Sequence, residues 1–256
     1  MLRLLILTLH VDEPQLSLQT AQISALKANQ SYHIKHIVIS GMEARAAMLQ
    51  LYQEILEHSN FDYFIKLDAD MTFRDLNSLG DLIDKAVTSR KNRYTISVSD
   101  HATRLNIFGL HVVKVKAVKD TVLITDLKRD DWIAEIDGTS VMLKTPLIDH
   151  CKTPSDFQLF CFGYNRGLKH KIKKQNMFYI FIVTMVNCIF DKQYKFVARG
   201  FIDGFNLDKP EFDSEFVSQR FAVAKSVTWK ELLLIVFKNI WFLPGSIFVS
   251  IYLKCK

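Results

Sequence analysis

The sequence predicts an α/β fold, with a mixed, mainly parallel sheet flanked by helices and a helical carboxyl-terminal region. Apolar, β-rich runs alternate with stretches of helical periodicity over residues 2–67. That alternation is typical of parallel strands joined by right-handed crossovers. The chain has 256 residues, of which 49% are hydrophobic and 12% aromatic, so a large core can form.

The elements are assigned in chain order from apolar runs and from the spacing of apolar residues. Strands are predicted at residues 2–9, 33–40, 61–67 and 94–99, with short candidates at 122–125, 140–143 and 147–148. Helices are predicted at residues 14–29, 43–58 and 76–88. Residues 101–119 are apolar without a helical period, and we expect strand and loop there.

The third predicted strand ends in two carboxylates, Asp68 and Asp70. Side chains two residues apart on an extended chain point to the same side, and two carboxylates directed at one point repel unless a cation lies between them. Mg²⁺ and Mn²⁺ prefer oxygen ligands, and open α/β sheets bind ligands at the carboxyl ends of their strands. The pair therefore predicts a metal site for a diphosphate. Two solvated aspartates in a surface turn are the alternative.

Three stretches together resemble a known group of enzymes. They are Leu67-Asp68-Ala69-Asp70-Met71 at the end of the third strand, the small-residue helix at Ala44-Arg45-Ala46-Ala47, and residues 154–169, which match a P-x-x-F-Q-x-F-x-F-G-x-x-R-x-x-K pattern. These features resemble the GT-A nucleotide-sugar glycosyltransferases, especially the family-two-like enzymes of bacterial surface-polysaccharide type. The resemblance covers the predicted sheet and the start of the region that follows it.

The resemblance implies that Mg²⁺ or Mn²⁺ on Asp68 and Asp70 holds the diphosphate of a UDP- or GDP-sugar. It also implies a late metal ligand, for which His150 is the candidate because it follows an apolar strand; a structural histidine is the alternative. By analogy, the nucleotide would contact Thr8, His10, Asp12, Ser40, Gly41, Arg45, Lys66 and Asp68. Ordinary loop polarity would also explain the residues at the strand ends.

An inverting transferase needs a carboxylate base against the acceptor hydroxyl. The candidates are Asp130, Asp131, Asp137 and Asp156. Asp131 ranks first because it adjoins Trp132, whose ring suits a sugar face, although core packing would also explain that ring. Asp137 precedes a glycine and is also a turn former, and Asp156 opens an apolar helix, where its charge is favourable. No Glu-Asp pair followed by a Q-x-x-R-W-type helix is present, so the base and the stereochemical outcome stay open.

Two regions are predicted, a nucleotide-sugar-binding and catalytic domain at residues 1–165 and a helical, basic and apolar region at residues 166–256. The first holds 18 Lys and Arg against 20 Asp and Glu, a net charge of −2, and the remaining 15 and 7 give the second a net charge of +8. A region that is both basic and apolar favours an anionic membrane surface over nucleic acid. We expect peripheral membrane contact; packing against the sheet domain or a second copy of the chain is the alternative.

Within the second region, three segments carry separate predictions. Residues 177–190 are apolar but too short to span a bilayer comfortably, so a buried or interfacial helix is expected. Residues 232–253 are interrupted by Pro244-Gly245, which predicts two helices with a bend rather than a membrane span. Residues 201–213 are expected to form a loop-rich connector.

The four cysteines give the expected compartment. They are Cys151, Cys161, Cys188 and Cys255, and they form neither a C-x-x-C pair nor a zinc spacing. We interpret them as reduced thiols of a cytoplasmic protein that contacts the inner face of the cell membrane.

The combined expectation is a metal-dependent glycosyltransferase that moves a sugar from a nucleotide donor to a glycan or lipid-linked acceptor in cell-surface polysaccharide synthesis. Three alternatives stay open. One is a non-catalytic nucleotide- or sugar-binding relative, and another is a membrane-associated structural protein. The third is a nucleotidyltransferase, which should carry a glycine-rich loop after the first strand, whereas Leu9-His10-Val11-Asp12-Glu13 contains no glycine.

Overall fold

The computed structural model describes residues 1–11, 13–27, 32–75, 77–121, 131–173, 187, 191–206, 214–226 and 228. The chain divides into two compact units, Met1–Lys152 and Thr153–Lys256. The first unit holds the sheet, and the second consists of helices in the part that the structure describes.

Eight strands form one sheet in the described part of the first unit. They are β1 Leu2–His10, β2 Tyr32–Ser40, β3 Tyr63–Asp68, β4 Met71–Phe73, β5 Arg93–Asp100, β6 Leu105–Lys114, β7 Gly138–Val141 and β8 Ile148–His150. Their order is β2-β1-β3-β6-β5-β8-β4, and β7 also pairs with β5. The predicted class, a mixed sheet flanked by helices, is confirmed, and the arrangement is consistent with the GT-A, Rossmann-like fold.

The pairing directions place most carboxyl ends at one edge of the sheet. β1 is parallel to β2 and to β3, and β5 is parallel to β7 and β8. β6 lies between β3 and β5 and is antiparallel to both, so β3 and β5 run in the same direction. The ends of β1, β2, β3, β5 and β8 therefore all lie at the same edge.

Helices cover both faces of the sheet. They are α1 Leu16–Lys27, α2 Ala44–Glu57, α3 Ser78–Ser89, α4 Val115–Thr121 and α5 Asp131–Glu135. Apolar residues of α1 and α3 pack on one face with alternate residues of the strands, such as Ile6 and Ile65. Residues of α2, α4 and α5 pack on the other face, with Leu7 and Phe64. This alternation follows from the two-residue period of a strand.

The structure corrects the prediction for residues 101–119. The strand is present as β6, but the chain continues as the helix α4 rather than as a loop. Val115, Ala117 and Val118 are buried against the sheet, and this packing stabilises a short helix whose apolar spacing alone does not show a clear period. The short strand β4 was also missed, because three residues are too few for a pattern.

The second unit contains α6 Asp156–Lys173, a short 3₁₀ turn at Lys192–Tyr194, α7 Lys195–Asn206 and α8 Ser214–Ser226. The predicted division after residue 165 falls inside α6. The prediction of a loop-rich connector over residues 201–213 is wrong at its start, because α7 is helical to Asn206. Buried Phe201 and Ile202 explain why this segment packs as a helix.

The helices α6 and α7 approach closely through four glycines, Gly163 and Gly167 on α6 and Gly200 and Gly204 on α7. A Cβ added to any of the four would lie 2.0 to 2.1 Å from a backbone carbonyl oxygen of the opposite helix. Small residues spaced four apart let two helix backbones come into contact, and here both helices carry such a pair.

Three remaining predictions lie outside the described residues. They are the possible strand at 122–125, the helix at 177–190 apart from residue 187, and the bent helix pair at 232–253. Among the residues that are described, no helix has both the length and the apolar character needed to cross a bilayer.

Candidate functional site

The carboxyl edge of the sheet brings together four titratable side chains. Asp68 ends β3, Asp100 ends β5 and His150 ends β8, while Asp70 lies in the turn between β3 and β4. The backbone joins these ends as well: the amide of His101 donates to the carbonyl of His150 at 3.1 Å, and the amide of Cys151 donates to the carbonyl of Asp70 at 2.9 Å. The predicted metal residues Asp68, Asp70 and His150 are therefore neighbours.

Asp68 and Lys66 form an ion pair on one face of β3. The Nζ of Lys66 lies 2.9 Å from Oδ1 of Asp68, and the lysine side chain is buried while the aspartate side chain is 39% exposed. Both residues were predicted to contact the nucleotide donor. In the structure the ammonium of Lys66 neutralises one oxygen of Asp68, which leaves the open side of this carboxylate facing solvent.

Asp70 is the more buried of the two carboxylates. The sequence prediction assumed that Asp70 lies on an extended strand. In the structure it lies in a turn, so strand alternation does not set the direction of its side chain. Burial raises the pKa of Asp70 to about 6; the charge of His150 opposes this shift, and the charges of Asp68 and Glu13 add to it. Among the described residues, no hydrogen-bond partner reaches its buried Oδ1. The Cys151 thiol interacts with this carboxylate, but thiols are weak donors.

His150 bridges two carboxylates. Its Nδ1 donates to Oδ1 of Asp100 at 2.6 Å, and its Nε2 lies 3.5 Å from Oδ2 of Asp70. Burial alone would lower the pKa of His150, but the hydrogen bond to Asp100 and the charges of Asp70 and Asp100 outweigh burial and raise this pKa to about 9. His150 is therefore a cation at neutral pH, and both ring nitrogens carry protons.

Asp100 fixes the position of the imidazole. This carboxylate is fully buried, and its Oδ2 accepts hydrogen bonds from the amide of Thr103 at 2.9 Å and from the Thr103 hydroxyl at 2.5 Å. Burial acts to raise the pKa of Asp100, but the hydrogen bond and charge of His150 and the bonds from Thr103 lower it overall. Asp100 therefore stays ionised, and it holds His150 protonated.

A second set of polar residues surrounds Asp149, which precedes His150 on β8 and so points to the other face of the sheet. The Nε and one terminal nitrogen of Arg74 both lie 2.8 Å from Oδ1 of Asp149. His101 lies 3.6 Å and Lys152 3.7 Å from the same carboxylate. Asp149 is buried, whereas Lys152 is 60% exposed, so this cluster presents a basic group to solvent.

The described residues contain no group of three or more His, Cys, Asp or Glu side chains arranged to hold a metal ion. The donor set at the sheet edge is two carboxylates, Asp68 and Asp70, with a protonated imidazole beside the second. Mg²⁺ commonly uses one or two carboxylates and takes its other ligands from water and substrate phosphates. The unpartnered Oδ1 of Asp70 is an oxygen that such a cation would satisfy, so these residues fit a metal shared with a phosphate.

The structure gives Thr8 a different place from the predicted one. Its side chain is fully buried, and its hydroxyl is bonded to Oε1 of Gln19 at 2.8 Å and to Nε2 of His36 at 2.9 Å. A hydroxyl with both partners inside the protein is not placed to contact a nucleotide directly. The prediction that Thr8 contacts the nucleotide is therefore corrected: its side chain joins Gln19 and His36 inside the protein.

Of the other residues predicted to contact the nucleotide, some lie at the carboxyl edge of the sheet and others are not described by the structure. His10 ends β1 and Ser40 ends β2, and the two are paired in register. Gly41 follows with a φ of 69°, a backbone conformation that favours glycine. Arg45 lies in the first turn of α2, and its side chain is not among those described; Asp12 is outside the described residues.

The structure describes the side chains of two of the four candidate bases, Asp137 and Asp156. Asp137 is exposed just before β7, and its carbonyl accepts from the amide of Arg93 at 3.1 Å. Asp156 begins α6 in the second unit, where a Ser155–Gln158 capping box closes the helix start. Asp131 begins α5, but its side chain is not described, and Asp130 lies outside the description. All four stay predictions.

Several residues of the site were missed by sequence reasoning. Asp100 ends a strand that runs parallel to β3, and that position was a usable signal once the strand directions were known. Gln19 lies on α1, and its amide bonds the backbone carbonyls of Asp68 and Met71 on either side of Asp70. A glutamine on a polar helix face gives no sequence signal of such contacts.

Comparison with models of known protein families gives no match, and neither does comparison with curated proteins. Solved structures with some likeness include a glycosyltransferase involved in glycosylation of the major capsid of PBCV-1, with a TM-score of 0.40 and 12% identity over 59% of this chain and 94% of that chain. A197 from STIV gives 0.40 and 10% over 58% and 83%. A Drosophila β-1,4-galactosyltransferase 7 mutant, in complex with manganese, UDP-Gal and xylobiose, gives 0.41 and 15% over 59% and 71%. Likenesses this weak do not support a shared activity.

Proposed function

We propose that this protein is a metal-dependent glycosyltransferase that uses a nucleotide-diphosphate sugar as donor. The observation that supports this proposal most strongly is Asp70, a largely buried carboxylate in the turn after β3, whose buried Oδ1 has no hydrogen-bond partner among the described residues. A buried, unpaired carboxylate oxygen is unfavourable by itself, and it becomes favourable when a cation is present.

Asp68 and Asp70 would hold Mg²⁺ or Mn²⁺ together with the diphosphate of the donor. When bound, the cation would stabilise the negative charge that develops on the departing nucleoside diphosphate. Lys66 neutralises Oδ1 of Asp68, while this carboxylate stays 39% exposed. Arg74 and Lys152, which contact Asp149, would add positive charge for an arriving diphosphate.

His150 has a defined role in the protein without metal. As a cation between Asp100 and Asp70, it neutralises part of the charge that Asp70 carries above a pH of about 6. The predicted role of His150 as a metal ligand requires the loss of its Nε2 proton, because a protonated imidazole nitrogen has no lone pair to donate. Asp100 would keep the ring in place through Nδ1 in either state.

The finer parts of the proposal rest on the sequence. They are a UDP- or GDP-sugar as donor, a glycan or lipid-linked acceptor of cell-surface polysaccharide, a cytoplasmic location with peripheral membrane contact, and a possible homo-oligomer. The basic and apolar composition of residues 166–256 supports the membrane contact. The base and the stereochemical outcome are not assigned.

Release of nucleoside diphosphate from a panel of UDP- and GDP-sugars tests the proposal. We expect wild-type protein to release it only with Mn²⁺ or Mg²⁺ present, and we expect Asp70→Asn to reduce the rate by about 100-fold or more. Asp81→Asn is the matched control, because Asp81 is an exposed carboxylate on α3. Release that is independent of metal, or unchanged in Asp70→Asn, would exclude the proposed enzyme.

A further inference from the structure

The turn that carries Asp70 is held by a side chain from another element. β3 ends at Asp68 and β4 begins at Met71; in the turn between them, the Ala69 amide donates to the carbonyl of Leu9 and the Asp70 carbonyl accepts from the Cys151 amide. Gln19 of α1 reaches this turn: its Nε2 donates to the carbonyl of Asp68 at 2.8 Å and to the carbonyl of Met71 at 2.6 Å. These two carbonyls flank Ala69 and Asp70.

Gln19 is itself fixed by its surroundings. The side chain is fully buried, and its Oε1 accepts from the Thr8 hydroxyl at 2.8 Å. Both carbonyls of the turn can only accept, so the amide nitrogen must face them and the orientation of the Gln19 amide is set by its partners. Both donor hydrogens are used, and the oxygen has a partner as well.

The network continues to β2 through His36. The Thr8 hydroxyl has one hydrogen, and it is used on Gln19, so the 2.9 Å contact with His36 requires that Nε2 of His36 carries a proton. Burial, with the charge of Lys27, lowers the pKa of His36 to about 4, so this ring is neutral at pH 7 and donates through Nε2 alone. Residues from β1, β2 and α1 thus meet on one turn.

We infer that Gln19 is a positioning residue that sets the geometry of the Asp68–Met71 turn, and through it the direction of the two carboxylates toward a cation. The inference rests on the proposed function, because the cation is part of it. Residues outside the ligand shell that orient the ligands commonly change metal affinity by about 10- to 100-fold. Thr8, predicted to contact nucleotide, acts in this arrangement by supporting Gln19.

The same helix supplies a matched control. Gln22 lies nearly one turn after Gln19, and its amide bonds both backbone groups of Phe73: Nε2 donates to the carbonyl at 2.6 Å, and Oε1 accepts from the amide at 3.0 Å. Gln22 thus makes two bonds to the backbone, as Gln19 does, and of similar length, but they hold β4 beyond the carboxylate turn. If the two glutamines of α1 had only a structural role, substitution at either position would weaken Mn²⁺ binding equally.

The test compares Gln19→Met with Gln22→Met in the full chain. Mn²⁺ binding, followed by the loss of the free-ion paramagnetic resonance signal, should weaken by about 10- to 100-fold in Gln19→Met and by less than about threefold in Gln22→Met. Hydrogen exchange of the metal-free protein gives a second measurement. The Ala69 amide, which donates to the carbonyl of Leu9 at 3.0 Å, should lose protection only in Gln19→Met, and the Phe73 amide only in Gln22→Met.

Equal loss of Mn²⁺ affinity in both variants, or an unchanged Ala69 exchange rate in Gln19→Met, would overturn the inference. If Gln19→Met does not fold, Gln19→Glu keeps the size of the side chain, replaces both amide donors by at most the one hydrogen of a protonated carboxyl, and is held to the same two outcomes. If wild-type protein binds no Mn²⁺, the proposed function fails, and the exchange rates of Ala69 and Phe73 alone decide whether Gln19 holds the turn.

Discussion

The closely packed helix pair of the second unit gives a prediction whose sign and size follow from the structure. A Cβ at Gly163 would lie 2.0 Å from the carbonyl oxygen of Val197, which is 1.4 Å short of the 3.4 Å at which ordinary contact begins. That oxygen belongs to a helix backbone and cannot rotate away, so α6 and α7 must separate. We therefore predict that Gly163→Ala destabilises the protein.

The expected size combines two opposing effects. Overpacking costs about 3 kcal/mol at the upper end of its usual range, while replacing glycine by alanine inside a helix regains about 1 kcal/mol. The net loss for Gly163→Ala is therefore about 2 kcal/mol. Gly80 of α3 is the control, because a Cβ there would lie 3.9 Å from its nearest neighbour, the hydroxyl of Tyr32. Gly80→Ala should be neutral or stabilising by about 0.5 kcal/mol.

Urea unfolding followed by the helical circular dichroism signal measures both variants. The midpoint should fall for Gly163→Ala and should stay or rise for Gly80→Ala. A Gly163→Ala protein as stable as the wild type would show that α6 and α7 are not in backbone contact, and the description of the second unit would then be incorrect.

Two other predictions concern buried charges. The His150 ring should titrate with a pKa of about 9 when followed by NMR. Because this pKa is raised above the unfolded value of 6.5, protonated His150 stabilises the fold fully below pH 6.5. This stabilisation, of about 3 kcal/mol, should be lost as the pH rises through 9. The His150→Gln variant should not show this pH-dependent loss of stability. A wild-type His150 pKa near 6.5 would contradict the placement of the ring between Asp100 and Asp70. Arg199→Met should destabilise by about 3 kcal/mol, because it removes the bonds of 3.1 Å to buried Asp203. Arg199→Met with Asp203→Asn should recover most of this loss, and no recovery would contradict the pairing.

The sequence was sufficient for the elements with a long, regular pattern. The sequence predicted both ends of five elements to within about two residues: the strands β1, β2 and β3 and the helices α1 and α2. In most of them an apolar pattern over nine or more residues outweighs local preference. The end of β3 also identified Asp68 and Asp70, because a strand that stops at charged residues can be recognised from the sequence alone.

The parts that failed depend on contacts between distant residues. Helix α4 is stabilised by packing on α2 and the sheet, and its seven residues are too few to show a period. Asp100 and Gln19 lie 32 and 49 residues from Asp68, and only the order and direction of the strands bring them to the same turn. The buried role of Thr8 likewise depends on α1 covering that face of β1.

The most direct measurement of the central claim is a calorimetric titration of the full chain with UDP, GDP, CDP and dTDP, with and without Mn²⁺. We predict that at least one nucleoside diphosphate binds only when Mn²⁺ is present, and that Asp70→Asn removes this binding while Asp81→Asn keeps it. Binding that ignores both the cation and Asp70, or no binding of any of the four, would contradict a metal-held diphosphate at the end of β3.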